Sequence, residues 1–338
     1  MKLYAGIDLH SSNNFIGVID NNDNRRYSRR HDNNLKTVLK VLGKYKKDLQ
    51  GVVVESTYNW YWIVDALMDN GYTVYLANPA AIQQYKGLKH QDDKWDAFWL
   101  AHMLRLGILR VGYIYPKEQR PIRDMLRRRT LFVKQRTTQI LSLQSMISRN
   151  RGLEFSGSSI VRFRKKFIEE MFDSPYLISI AWRQIQTIRF LEEQVKGIET
   201  EVRAQIELEE AYRKLLTIPG IGIILALTIM TEVGDIGRFE KVGNYSSYCR
   251  CVNARSTSNG KKKGDNNRKN GNRYLAWAYV EAANFHKRCC PQAQKFVQRK
   301  TAQTNYAMAI KALGNKLTKA SYFIMRDQTS FDPALMFG

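Results

Sequence analysis

The chain has 338 residues and carries 54 Lys and Arg against 31 Asp and Glu, a formal net charge of +23. Its 44% hydrophobic content excludes wholesale disorder, and no apolar run approaches the ~20 residues that span a bilayer. A balance this basic points to a polyanionic partner, nucleic acid ahead of anionic membrane.

Leu3–Asp8 and Phe15–Ile19 read as two apolar strands joined by a polar His10–Asn14 turn, a β-hairpin. The start, Met1-Lys2-Leu3-Tyr4, runs straight into the first strand without a signal-peptide pattern, so a cytoplasmic, nucleoid-associated protein is expected. Leu35–Asp48 has helical spacing, with Leu35, Val38, Leu39 and Leu42 on one face. Gly51–Glu55 is a short continuous apolar strand of the kind buried on both faces. A helix over Tyr58–Asn70 closed by Gly71, a strand over Tyr72–Ala77 and a helix over Asp92–Leu106 follow. The order predicts a mixed, three-layer α/β domain.

Beyond Arg120 the pattern turns helical. Leu126, Val133, Ile140 and Ile147 recur every seven residues, and Ile185, Ile188, Leu191, Val195, Ile198 and Val202 recur at three and four. Joined by Gly152–Pro175, the two runs predict an antiparallel coiled-coil hairpin. Its first helix holds consecutive Arg127, Arg128 and Arg129, read here as a face that tracks phosphates. Ile218-Pro219-Gly220-Ile221-Gly222 then opens an apolar helix in the manner of a helix-hairpin-helix element. There Gly220 and Gly222 would let backbone N–H groups approach a phosphate. Arg255–Arg273 is a polar loop with Lys261, Lys262, Lys263, Arg268, Lys269 and Arg273, suited to nucleic acid. Helices over Tyr274–Lys287 and Tyr306–Arg326 complete a mainly helical C-terminal half.

Four carboxylates carry the chemistry. Asp8 and Glu55 end apolar strands, where open α/β sheets place their sites, and Asp93 and Asp96 sit at the start of a helix. Acids directly ending buried strands carry a desolvation cost that wants a partner or a cation. Converging from three elements, the four suit a two-metal phosphoryl-transfer site. Asp20, Asp65 and Asp69 fall in turn or helix-surface contexts and are read as solvated. Cys249-x-Cys251 and His286-x-x-Cys289-Cys290 have poor zinc spacing, so the cysteines are read as buried free thiols. There is no Gly-x-Ser-x-Gly elbow and no Gly-x-x-x-x-Gly-Lys-Ser/Thr loop. The hydroxyl cluster Ser256-Thr257-Ser258 reads, by composition alone, as loop.

Tyr4-Ala5-Gly6-Ile7-Asp8, Val54-Glu55-Ser56-Thr57 and Asp93-Lys94-Trp95-Asp96-Ala97 together resemble the Asp-Glu-Asp-Asp signature of RuvC-like insertion-sequence transposases of the IS110/IS1111 type, with the related pilin-gene invertases. Ile218–Gly222, Glu232-Val233-Gly234-Asp235-Ile236-Gly237-Arg238-Phe239 and Lys269-Asn270-Gly271-Asn272-Arg273-Tyr274-Leu275 resemble that family's second domain, in the same order. The resemblance implies a RuvC-like (RNase H-like) catalytic domain over residues 1–112 and a coiled-coil linker and oligomerisation region over 113–212. A serine-bearing domain over 213–328 and a tail over 329–338 would follow. It implies Mg²⁺, with Mn²⁺ as substitute, on Asp8, Glu55, Asp93 and Asp96, and a covalent serine–DNA intermediate on Ser258, with Ser256 the fallback. Asn259 stands where the family usually has Gly. Donor and target DNA, a structured noncoding guide RNA, and a homodimer or homotetramer with a site shared between protomers are the implied partners. The alternatives are a RuvC-like endonuclease that uses water, or a non-catalytic nucleic-acid scaffold.

Overall fold

A computed structural model describes residues 1–78, 93–205, 209–252, 256–264 and 270–337. The chain forms two compact units, Met1–Lys117 and Glu118–Gly338.

The first unit is a six-stranded sheet. Its strands are β1 (Leu3–Leu9), β2 (Asn13–Asp20), β3 (Arg25–Asp32), β4 (Leu49–Glu55), β5 (Val74–Ala77) and β6 (Val111–Gly112), in the order β3-β2-β1-β4-β5-β6. β1 pairs in parallel with β4, and β4 with β5; the remaining pairs are antiparallel. Helices α1 (Leu35–Gly43) and α2 (Tyr61–Asp69) cover one face, where Val38, Leu42, Ile63 and Leu67 pack on Ala5, Ile7, Val52 and Val54. α3 (Asp93–Arg105) covers the other, with Leu100 and Met103 on Val53 and Ala77, and Phe98 on Ile19. This is the mixed three-layer α/β arrangement the sequence predicts. β3 is the addition: its Arg-Arg-Tyr-Ser-Arg-Arg run lacks apolar alternation, because it is an edge strand whose charges discourage pairing with another chain.

Gly6 sets the distance between α3 and β1. A Cβ there would collide with the Ala97 carbonyl oxygen and stand 2.9 Å from the Ala101 nitrogen, both backbone atoms that cannot swing away. Gly6→Ala is therefore expected to cost about 1–3 kcal/mol by overpacking, read as a lower denaturant midpoint. An unchanged midpoint would mean that α3 can ride outward freely. The far end of α3 is tied down by Asp23, which takes Arg105 at 2.6 and 2.8 Å and His102 at 2.9 Å.

Asp20 departs from expectation. It is buried, and its carboxylate receives Asn22 N, Asn24 N, Asn24 Nδ2 and a two-pronged Arg26. Burial alone would raise its pKa; these donors outweigh it and bring the group down to about 2. A turn read as solvated is in fact knotted around one acid.

The second unit is helical. α4 (Arg120–Arg151) and α7 (Pro175–Gln205) lie antiparallel, cross-linked by Arg129–Glu199, Arg136–Glu192 and Gln184–Ser142. The connection holds α5 (Gly157–Val161) and α6 (Lys165–Met171), whose Ile160, Ile168 and Met171 pack with Phe163 against Leu143 and Ile185 to cap the hairpin tip. After α8 (Glu210–Arg213) come α9 (Ile223–Val233) and α10 (Val242–Tyr248), the two-stranded β7 (Ser256–Ser258) and β8 (Lys261–Gly264), then α11 (Arg273–Cys289), α12 (Pro291–Gln303), α13 (Tyr306–Asp327) and α14 (Pro333–Phe337). α9, α11 and α13 form the core, with Leu227, Tyr279, Leu313 and Tyr322 fully or almost fully buried. Cys249, Cys251 and Cys290 are buried free thiols as expected, whereas Cys289 is exposed. Among the described residues no helix is long and apolar enough to cross a membrane.

His286 of α11 gives this core a pH dependence. It is fully buried, its Nδ1 lies 2.6 Å from the Pro219 carbonyl, and Phe337 stacks on its ring. Burial pushes its pKa below the ordinary 6.5, only partly countered by that carbonyl. The folded state then keeps the neutral ring where the unfolded chain would bind a proton. The stabilisation is thus present above about pH 6.5 and is lost as pH falls below that value. The unfolding midpoint should drop between about pH 7.5 and 5.5, with a flatter profile in His286→Asn, which can still reach Pro219. Equal slopes in both proteins would exclude His286 as the cause.

Candidate nucleic-acid strand-transfer site

Strand register brings two of the predicted acids together. Ile7 pairs with Val54, so the next residues, Asp8 and Glu55, stand side by side at the C-terminal ends of neighbouring parallel strands. Side chains alternate along a strand. On β1, Ala5 and Ile7 point to the α1/α2 face, leaving Gly6 and Asp8 toward α3; on β4, Val53 and Glu55 do the same. Asp96 precedes Ala97, the residue in contact with Gly6, and is half-buried at the start of α3. Asp8, Glu55 and Asp96 therefore share one face and one end of the sheet. Asp93 begins α3, but its side chain lies outside the described residues.

Asp8 is 2% exposed, and its Oδ2 lies 3.2 Å from Nε2 of His10. That histidine was not singled out from the sequence; the available signal was its place two residues after Asp8. A polar brace surrounds the strand ends. Asn59 Nδ2 donates to the His10 carbonyl at 2.9 Å while its Oδ1 accepts from Thr57 Oγ1 at 2.8 Å. From the other side Asn33 Nδ2 donates to the same carbonyl at 3.0 Å. The Asp8 and Glu55 ends of β1 and β4 are thus tied through backbone atoms.

Carboxylate oxygens are donors for hard divalent cations such as Mg²⁺. Among the described residues, however, no three His, Cys, Asp or Glu side chains stand close enough to share an ion. The carboxylates fit such a cation by chemistry and by face, without forming a closed cage among themselves.

The expected serine falls in a β-hairpin. Ser258 pairs with Lys261 across Asn259 and Gly260, whose φ values of 50° and 71° are both positive. Two successive left-handed residues make the tight turn that Asn-Gly favours. Asn tolerates this conformation better than other non-glycine residues, which accounts for its standing in a glycine position. The side chains of Ser256, Ser258, Lys262 and Lys263 lie outside the described residues, as do Arg268 and Lys269 altogether; Lys261 is exposed.

A buried cluster at the root of this hairpin was not anticipated. Glu232 of α9 is 2% exposed and accepts Arg127 Nε and Nη2 at 2.6 and 2.8 Å, Arg123 Nε at 3.3 Å and Asn272 Nδ2 at 2.6 Å. Asn272 also caps α11 through Tyr274 N and Leu275 N, and its own N–H donates to Tyr248 O at 2.6 Å. Arg250 Nε closes the same neck on Gly271 O. Two of the three arginines read as phosphate contacts are thus committed within the chain, Arg127 to Glu232 and Arg129 to Glu199; Arg128 is exposed. Local pattern carries no signal of this, since Arg127 and Glu232 stand about a hundred positions apart. Arg273 is exposed, with its guanidinium over the Tyr274 ring.

The two glycines of the Pro-Gly turn have different tasks. Gly220, at φ 98°, lies so close to α11 that a Cβ would stand 2.6 Å from the His286 nitrogen. It is a packing glycine. Gly222 caps α9 with open space around it, so backbone approach there remains sterically free.

Comparison with known proteins finds transposase domains in both halves of the chain. Residues 5–149 match a transposase domain model of the DEDD type named for IS110, and residues 212–298 match one described as "Transposase IS116/IS110/IS902 family". A probable family 20 transposase of Pseudomonas aeruginosa is 24% identical over 81% of this chain and 82% of its own length. A putative transposase of Sinorhizobium fredii is 26% identical over 67% of this chain, and the transposase for insertion sequence element IS1111A of Coxiella burnetii is 24% identical over 61%. The chain spans about half the length of these last two, 55% and 56%.

Proposed function

The chain belongs to the IS116/IS110/IS902 family of insertion-sequence transposases, and from that premise we propose that it cuts and exchanges DNA strands through a covalent serine–DNA intermediate formed beside a divalent-metal site. The observation that carries this reading is the placement of Asp8, Glu55 and Asp96 on one face at one end of the sheet. The sheet order, with its central parallel β1/β4 pair, supports a RuvC-like domain.

Asp8, Glu55 and Asp96, joined by Asp93, would hold Mg²⁺. When bound, such an ion polarises a phosphoryl oxygen and offsets charge developing on the scissile phosphate. His10 and the Asn59–Asn33 brace keep the acids aimed at that point. Ser258, which leads into the Asn259-Gly260 turn, supplies the nucleophile. Its Oγ bonds to phosphorus as the bond to the leaving deoxyribose oxygen breaks, and the serine proton ends on that leaving oxygen. The retained phosphodiester energy lets a second strand's hydroxyl reverse the step onto a new partner. Arg273, Lys261 and the neighbouring cations neutralise phosphates on either side. Lys262, Lys263, Arg268 and Lys269 have the same role. The excess of 54 cations over 31 acids leaves room for a structured guide RNA as well as donor and target DNA. Leu131, Leu141 and Phe190 stand exposed on the α4–α7 hairpin and support self-association into dimers and tetramers.

The test is to incubate the protein with supercoiled DNA, Mg²⁺ and RNA transcribed from beside its gene, then denature and look for protein attached to DNA. Attachment is expected, and should vanish in Ser258→Ala. Cleavage that persists in Ser258→Ala without attachment would instead assign the attack to water, and an unchanged yield of attached DNA would move the nucleophile elsewhere.

A further inference from the structure

A groove of about 1420 Å³ runs along the second unit between α12, α13 and the C-terminal residues. Its floor is the stripe of α13 bearing Ala312, Asn315 and Ala320, small enough to leave a trough, with Met308 and Phe323 exposed toward its two ends. Its walls carry Arg299, Lys300, Lys311, Lys316 and Lys319. The two acids in the lining are already spoken for: Asp327 chelates Arg326 at 2.6 and 2.8 Å, and Asp332 caps Ala334 N. Lys316 rests on the Met336 carbonyl at 2.7 Å and Lys300 on Gln303 Oε1 at 3.5 Å, both neutral acceptors that leave the charge in place. The groove therefore presents net positive walls around an apolar, partly aromatic floor.

We propose that this groove holds a single strand of DNA. Lysines and an arginine in the lining match a phosphate backbone, and Phe323, exposed with the Arg326 guanidinium 5.0 Å from its ring, offers an aromatic and cationic surface for a base, the combination that single-strand sites use. From Met308 to Phe323 the helix runs about 22 Å at ~1.5 Å per residue, room for roughly six nucleotides at ~3.4 Å each. A duplex suits the groove less, because its paired bases leave no face free to stack on an aromatic ring. A second copy of this chain suits it poorly, since a surface at +23 offers few free carboxylates to five cations. Cys251 and Val252 also line the groove, on the segment that precedes the Ser256–Ser258 strand in the sequence. The inference rests on the family's work on DNA, and on neither the acidic face nor Ser258.

Binding of labelled single-stranded and duplex DNA and of a single-stranded RNA, each of about twelve nucleotides, is measured on the full chain without metal. The test variant is R299E/K319E, both exposed; K165E/K166E on α6 makes the same change in net charge elsewhere. R299E/K319E should weaken single-stranded DNA at least about tenfold and flatten the log–log salt slope by roughly 1.4, two phosphates at ~0.7 each. The α6 control should shift binding less than about threefold, and Phe323→Ala should weaken the single strand with an unchanged salt slope. R299Q/K319Q repeats the test should charge reversal disturb folding, as read by the unfolding midpoint. Equal losses in the test and control pairs, or equal losses for duplex and single strand, would overturn the proposal. Loss confined to the RNA probe would hand the groove to RNA and overturn the assignment to DNA. None of these results depends on strand cleavage, so failure here leaves the covalent-attachment test standing, and the reverse.

Discussion

Replacing Glu232 with alanine is expected to lower the stability of the helical unit by about 3–5 kcal/mol, the range for breaking one side of a buried ion pair. The loss is large because three donors converge on a carboxylate that water does not reach. Without it the Arg127 guanidinium loses its bidentate carboxylate, and Asn272 loses one of the contacts holding the first turn of α11. Arg127→Ala should cost less, since Arg123 still pairs with the Glu232 charge and Asn272 still donates to it. Because the two changes remove the same bond, their double variant should fall well short of the sum. Denaturant unfolding of the four proteins measures this directly. Strict additivity would mean that the pair contributes nothing as a pair. Since Asn272 also closes the neck of the serine hairpin, covalent attachment to DNA should fall along with stability.

Asp8→Asn is expected to reduce strand cleavage by roughly a thousandfold or more while leaving the fold intact. The substitution keeps the shape of a side chain that is 2% exposed and stands beside His10, but removes the charge that would hold a cation. Asp20→Asn provides the contrast. Asp20 is equally buried in the same sheet, yet its charge is answered by Arg26 and three donors from Asn22 and Asn24. Its variant should lose stability, most visibly above about pH 4 where the carboxylate would be ionised, and keep cleavage in the protein that remains folded. Cleavage lost equally in both variants would show that Asp8 matters only as part of the sheet.

The N-terminal architecture was legible because its signals are local. Strands β1, β2, β4 and β5 are apolar runs closed by turn residues, and α1, α2 and α3 show helical spacing, so type and order can be read directly. The charged edge strand β3 was not legible, since an edge needs no apolar face. Asp20 was misread because its burial comes from a turn folding back on itself, which residue type does not signal. The arginine run illustrates the same limit. Arg127, Arg128 and Arg129 are alike in sequence, but successive helical positions point some 100° apart, so two meet acids on α9 and α7 while the middle one meets solvent.

By itself, the sequence determined the layered α/β half, the helical half, the basic character and the acids that end β1 and β4, all set by local pattern and composition. Tertiary structure decided which of those groups face one another. Parallel register placed Asp8 beside Glu55, the close approach at Gly6 set Asp96 above them, and Glu232 drew in Arg127 from a distant helix. Pairing across the fold depends on register and packing between segments far apart in the chain, and no single segment carries that information.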